Sequence, residues 1–209
     1  MIDHHCHSVV VDDLGPEAFR SLLTESDRPL ATDPFDSALG WAVRRWCPPA
    51  LGLAAHAGAE EYLDRRRALG PVEATRRLLT AAGLGALLVD TGLTAAAGQP
   101  LVPLPELGAL AGEVPVREIV RLESIAEAVA ARAPSADGWA TALTDALATA
   151  LAPAVAVKSV LAYRHGLDIP GDRPSTAEVV RAASRWLSSP AAAPAAPLLP
   201  PPPLPFPPG

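Results

Sequence analysis

Near the start of the chain His4, His5, Cys6 and His7 place three imidazoles and a thiol at four consecutive positions, just ahead of the apolar run Val9, Val10 and Val11. In an extended strand successive side chains alternate, so His5 and His7 are expected on one face and His4 and Cys6 on the other. Two imidazoles one residue apart at the end of a strand make half of a facial site for zinc or another borderline divalent cation, with further ligands coming from other strands. Asp3 falls on the same face by the same alternation, where its carboxylate could accept from the ring N–H of an imidazole that points away from the metal and so orient it. The competing reading is structural: a hydrogen-bonded strand end, with His4 and Cys6 packed between strand and helices.

Two other residues could join such a site. Lys158 is the only lysine among 17 basic residues and sits inside the apolar run "AVAVKSVLAYR". A buried ammonium needs a partner or a chemical modification, and a lysine at a strand end can instead extend its head to water. Glu123 closes the run "VPVREIVRLE" and is either a site carboxylate or an acid in the first turn of the next helix. His56 and His165 fall in expected loops. No nucleophile elbow, phosphate loop or dinucleotide glycine pattern occurs, so the chemistry rests on a metal.

These residues need strands to hold them. "LGALLVDTG" near 84–92, "VPVREIVRLE" near 114–123 and "AVAVKSVLAYR" near 154–164 read as buried strands, with "MIDHHCH" as the first. Helices lie between them. Asp33 with Pro34 opens one whose apolar stripe is Leu39, Val43 and Trp46, stopped by "CPP"; two follow over "AEEYLDRRRALG" and "PVEATRRLLTAAG", the latter from Pro71 to Gly83. Ser124 with Glu127 and Ser175 with Glu178 have capping-box spacing, and Trp139, Leu143 and Leu147 mark another amphipathic face. Strands alternating with helices specify an α/β fold with a parallel sheet, and about four strands amount to half of a TIM-type (β/α) barrel.

Composition narrows the rest. The 209 residues are 49% hydrophobic and 19% charged, a globular balance, and the net charge of -6 offers no basic face to nucleic acid. Two cysteines, Cys6 and Cys47, suggest neither a disulfide scaffold nor a thiolate zinc site, which fits a reducing cytoplasm. No run is long and apolar enough to span a membrane. Residues 190–209 contain ten of the 24 prolines and are expected to form an extended or disordered tail behind a domain over 1–189.

The strings "IDHHCHS", "RRWCPPALGLAAH", "EEYLDRRRALGPVEATRRLLTAAGLGALLVDTGL", "VREIVRLESIAE" and "VKSVLAYRHGLDI" together resemble the N-terminal half of metal-dependent amidohydrolases. The subgroup is similar to the amidohydrolase portion of glutamine-synthetase-like fusion proteins. The resemblance covers roughly residues 1–188 and is carried most specifically by the HxH at the first strand with the KSxxAYRxGL string at the fourth. It implies a (β/α)8 barrel with a metal site at the carboxyl ends of its strands, where a metal-activated water attacks a C–N (amide-like) bond of a small-molecule substrate. His5 and His7 match the HxH ligands, and Lys158 falls near a position that many members use as a metal-bridging carboxylated lysine. The metal implied is zinc.

Relatives take further ligands from strands five and six and an aspartate from strand eight. The chain is therefore expected to be a truncated member without activity of its own, prone to self-association through open sheet edges. The alternative is a non-catalytic protein that binds partners through its Pro-rich tail, whose "LPPPPLP" suits an aromatic groove.

Overall fold

The computed structural model describes residues 1–24, 31–132, 135–168 and 170–188. The Pro-rich segment 190–209 lies outside the described residues. The architecture is α/β, with a four-stranded parallel sheet and helices between its strands in sequence. The strands are β1 (Ile2–Cys6), β2 (Ala86–Asp90), β5 (Val116–Arg121) and β6 (Ala156–Lys158), in the spatial order β1-β2-β5-β6. A two-residue ladder, β3 (Ala95–Ala96) with β4 (Gln99–Pro100), lies between β2 and β5 in sequence. Among the described residues no helix is long and apolar enough to cross a membrane.

The described residues fall into two compact units. The first comprises Met1–Val89 and Leu93–Arg117. In it β1 runs parallel to β2, pairing Ile2 with Ala86 and Asp3 with Leu87, and the backbone N–H of Leu87 donates to Pro115 O at 3.0 Å. Five helices follow the chain here: α1 (Pro16–Ser21), α2 (Ala38–Ala50), α3 (Ala59–Leu69), α4 (Pro71–Ala81) and α5 (Leu104–Leu110). Leu23, Phe35, Leu51, Tyr62, Leu63 and Ala74 form one core, in which Phe19 stacks on Phe35 at 5.8 Å and meets the Tyr62 ring edge-on at 5.9 Å. Leu87, Val89, Leu107 and Ala111 form another, with Cys6 packed against it.

Helix α2 departs from its sequence reading in three ways. Asp33 and Pro34 open a 3-10 turn, Pro34–Asp36, and the helix proper begins after Ser37, whose Oγ accepts from Gly40 N at 3.0 Å. The stripe expected inside is only partly so: Val43 packs on the core, but Leu39 and Trp46 are exposed, and the inner face is Gly40, Val43, Cys47 and Pro48. The prolines do not stop the helix. Pro48 has no N–H to give to the Arg44 carbonyl, and the N–H of His56 donates to it instead at 2.7 Å. Gly40 is where α2 crosses the 3-10 turn: a Cβ there would sit 2.3 Å from Pro34 O and 2.4 Å from Phe35 Cα, both backbone atoms. Gly40→Ala is expected to cost about 1–3 kcal/mol in urea unfolding, through forced backbone displacement. Gly171→Ala, whose Cβ would meet nothing within 4 Å, should leave the midpoint unchanged.

The second unit comprises Asp90–Gly92 and the chain from Glu118 onward. β5 and β6 are parallel, pairing Ile119 with Ala156, Val120 with Val157 and Arg121 with Lys158. The helices are α6 (Leu122–Ala131), α7 (Ala136–Leu151), α8 (Leu161–His165) and α9 (Thr176–Leu187). Ala126, Val129, Trp139, Leu143, Leu147 and Trp186 fill its core. The Ser175–Glu178 capping box forms as expected, but α6 starts two residues before Ser124, which lies inside it. The fourth strand is shorter than its apolar run suggests, because the chain turns into α8 at Leu161.

Candidate functional site

In parallel α/β sheets functional side chains gather where the strands end. Asp90, Arg121 and Lys158 are the last residues of β2, β5 and β6, and the second unit brings all three together. Asp90 is 2% exposed. Its Oδ2 accepts from Arg121 Nη2 at 2.7 Å and lies 3.2 Å from Lys158 Nζ, and Arg121 Nε reaches both oxygens at 3.2 Å. Asp90 Oδ1 also accepts from Gly92 N at 2.8 Å, a turn that brings the chain back under the guanidinium. Position 92 must be glycine, since a Cβ would meet Arg121 Nε at 2.4 Å and Arg121 Cβ at 2.6 Å.

Burial pushes the Asp90 carboxyl up. The Arg121 hydrogen bond, the Gly92 N–H and Lys158 outweigh it and hold the group below the usual carboxylate range. The partner that an interior Lys158 needs is therefore Asp90, and its side chain is partly open to solvent. Glu123, 1% exposed in the first turn of α6, fastens the segment that follows Lys158: its Oε1 accepts from Ser159 Oγ at 2.5 Å and from Val160 N at 3.1 Å. Its Oε2 is buried without a hydrogen-bond partner among the described residues.

In the first unit the geometry of β1 corrects the simple alternation. From Asp3 to Cys6 the strand advances three residues while its partner advances two, from Leu87 to Val89, so the register slips between them. Asp3 and Cys6 are both half-buried, His4 and His5 are both exposed, and His7, just past the strand, is half-buried. His4 is thus not packed inside as expected. The Asp3 carboxylate accepts from the backbone N–H of His5 at 3.1 Å, so it steadies the slipped backbone at this point. Cys6 is packed as expected: its thiol donates to Leu88 O at 3.4 Å, and burial, then the charge of Asp3, push it up to about 11. A thiolate at Cys6 is correspondingly scarce near neutral pH. Among the described residues no group of three or more His, Cys, Asp or Glu side chains could hold a metal ion. What β1 offers is a pair of imidazoles at its carboxyl end.

Sequence reasoning missed Asp90 and Arg121. The signal for Asp90 was the acid closing an apolar strand with glycine two residues on, the pattern of an Asx turn. A groove of about 500 Å³ along α7, lined by Leu143, Leu147, Val179 and Val180, lies in the same unit and has Asp137 and Arg173 as its ionisable lining residues.

Neither a protein-family model nor a curated protein matches the chain. The fold is similar to the crystal structure of a protein from Lactobacillus casei ATCC 334 named a "putative metal-dependent hydrolase", with a TM-score of 0.69 and 24% identity. The match covers 92% of this chain and 50% of that one, so the chain spans about half the length of its structural neighbour. At this identity the likeness is one of fold.

Proposed function

We propose that this chain carries the first metal donors of a metal-dependent hydrolase acting on C–N, amide-like bonds of a small-molecule substrate. The observation that supports it is the His5–His7 pair at the carboxyl end of the first strand, in a fold shared with a protein named for metal-dependent hydrolysis. The pair fits a divalent cation, zinc in the first place: both donors are imidazoles, and one of them is exposed. Bound there, the cation would supply Lewis acidity, polarising a carbonyl and acidifying water.

The chain's own residues do the positioning. Asp3 holds the backbone of His5, and the register slip before Cys6 sets where the imidazoles emerge. Asp90 fixes the ends of β5 and β6 by gripping Arg121 and Lys158, and Glu123 holds the Ser159–Val160 segment beyond. Lys158 is ion-paired with Asp90 at 3.2 Å, so His5 and His7 carry the assignment.

A ligand that binds only the folded state raises its stability by mass action. Added zinc is expected to raise the thermal midpoint of the wild-type chain and to leave that of the His5→Ala/His7→Ala variant unmoved. Equal shifts in both proteins would contradict the assignment.

A further inference from the structure

The groove of about 500 Å³ along α7 carries its two ionisable lining residues at opposite ends. Trp186, near the end of α9, meets Trp139, near the start of α7, so the two helices run in opposite directions and α9 begins beside the end of α7. Asp137, in the first turn of α7, therefore stands at one end of the groove, and Arg173, just ahead of the Ser175 cap of α9, stands at the other. Among the described residues neither forms an ion pair. Between them the lining is apolar, with Leu143 and Leu147 buried beneath it and Val179 and Val180 on the α9 side.

Ala140, Thr144 and Ala148, spaced one helical turn apart, add a ridge of small side chains to the same face of α7. Thr144 and Ala148 are exposed. The Thr144 hydroxyl donates to Ala140 O at 2.9 Å, so covering it strands no hydrogen-bonding group. A ridge of this kind can settle into a groove on another helix pair, the usual way in which helices pack. Thr144 is also the midpoint of the lining: Asp137 and Leu151 lie at equal separations on either side, about 10 Å along the axis. A face with small residues at its centre and opposite charges at its two ends is complementary to itself about a two-fold axis. An axis through Thr144 lays the ridge of each copy in the groove of the other and brings Asp137 of each to Arg173 of the other. Any other partner would have to supply both complements, which this chain already carries.

We propose that the α7–α9 face is the contact between two copies of this chain, centred on Thr144 and closed by two Asp137–Arg173 pairs. The inference is independent of the metal reading. It is tested on the full chain by light scattering over a wide concentration range at low salt. The mass is expected to rise from one chain to two. Asp137→Arg and Arg173→Asp should each weaken association by roughly tenfold or more, because the symmetry sets two like-charge pairs in place of two attractive ones. An equimolar mixture of these two variants should restore the dimer, since each copy then meets the opposite charge at both ends. Thr144→Arg, at an exposed position, sets two cations against each other on the axis and should keep the chain monomeric. Asp145→Arg makes the same charge change about 100° round the helix from Thr144 and should leave the dimer intact. A chain that stays monomeric at every concentration overturns the proposal, as does a mixture of the two reversed variants that fails to associate. Association that survives Thr144→Arg overturns it too, and is the behaviour expected of pairing through sheet edges.

Discussion

Asp90→Ala is expected to destabilise the second unit by about 3–5 kcal/mol, because it removes a buried counter-charge from two cations at once. Arg121 and Lys158 would both lose the carboxylate that lies 2.7 Å and 3.2 Å from them, and both are mostly buried, at 17% and 22% side-chain exposure. The loss should depend on pH in a defined direction. The folded-state pKa of Asp90 is held down, so its stabilisation is present above the unfolded value of about 3.9 and disappears as pH falls through the lower folded value. Urea titrations should therefore show a wide gap between wild type and Asp90→Ala at neutral pH that closes in acid. A gap of the same size at both pH values would mean that the cost is packing, not charge.

Trp186→Ala should lower stability by a similar amount, about 3–5 kcal/mol, through lost burial and the cavity left behind. Trp186 is 7% exposed and meets Trp139 edge-to-face, with centroids 5.7 Å apart and planes at 69°. Its helix, α9, contributes one other buried residue, Ala183, with Val179 and Leu187 partly buried against the same core. Trp139 offers an internal contrast. Its indole N–H is buried without a hydrogen-bond partner among the described residues, so Trp139→Phe keeps the ring contact and removes an unsatisfied donor. Calorimetric unfolding should show a large drop for Trp186→Ala and a much smaller change for Trp139→Phe. A drop of equal size for both would contradict the packing described here.

Local signals carried much of the fold. Pro71 opens α4, Ser175 and Glu178 cap α9, and Trp139, Leu143 and Leu147 face the core, because each depends on neighbours within a turn. The misses have a common origin in contacts made far along the chain. The carbonyl stranded by Pro48 is rescued by His56, so "CPP" does not end α2. Gly40 lets α2 approach the Pro34 turn closely and turns Leu39 and Trp46 outward, which hydrophobicity alone does not foresee. Residues 93–113, between the second and third apolar runs, hold β3, β4 and α5, whose elements are too short for periodicity to show.

The site divides in the same way. The HxH pair is legible as a string, and its strand forms where expected. The slip between Asp3 and Cys6 is not legible, because register is set by the partner strand β2. The Asp90–Arg121–Lys158 cluster depends on three strand ends distant in sequence, and only its lysine stood out, by its rarity.

The assignment of His5 and His7 as metal donors is tested most directly by isothermal titration of zinc into the full chain and into the His5→Ala/His7→Ala variant, which keeps His4, Cys6 and Cys47. The wild type should take up zinc with the weak affinity of a two-imidazole site, and the double variant should lose that heat. Equal zinc uptake by the two proteins would contradict the claim.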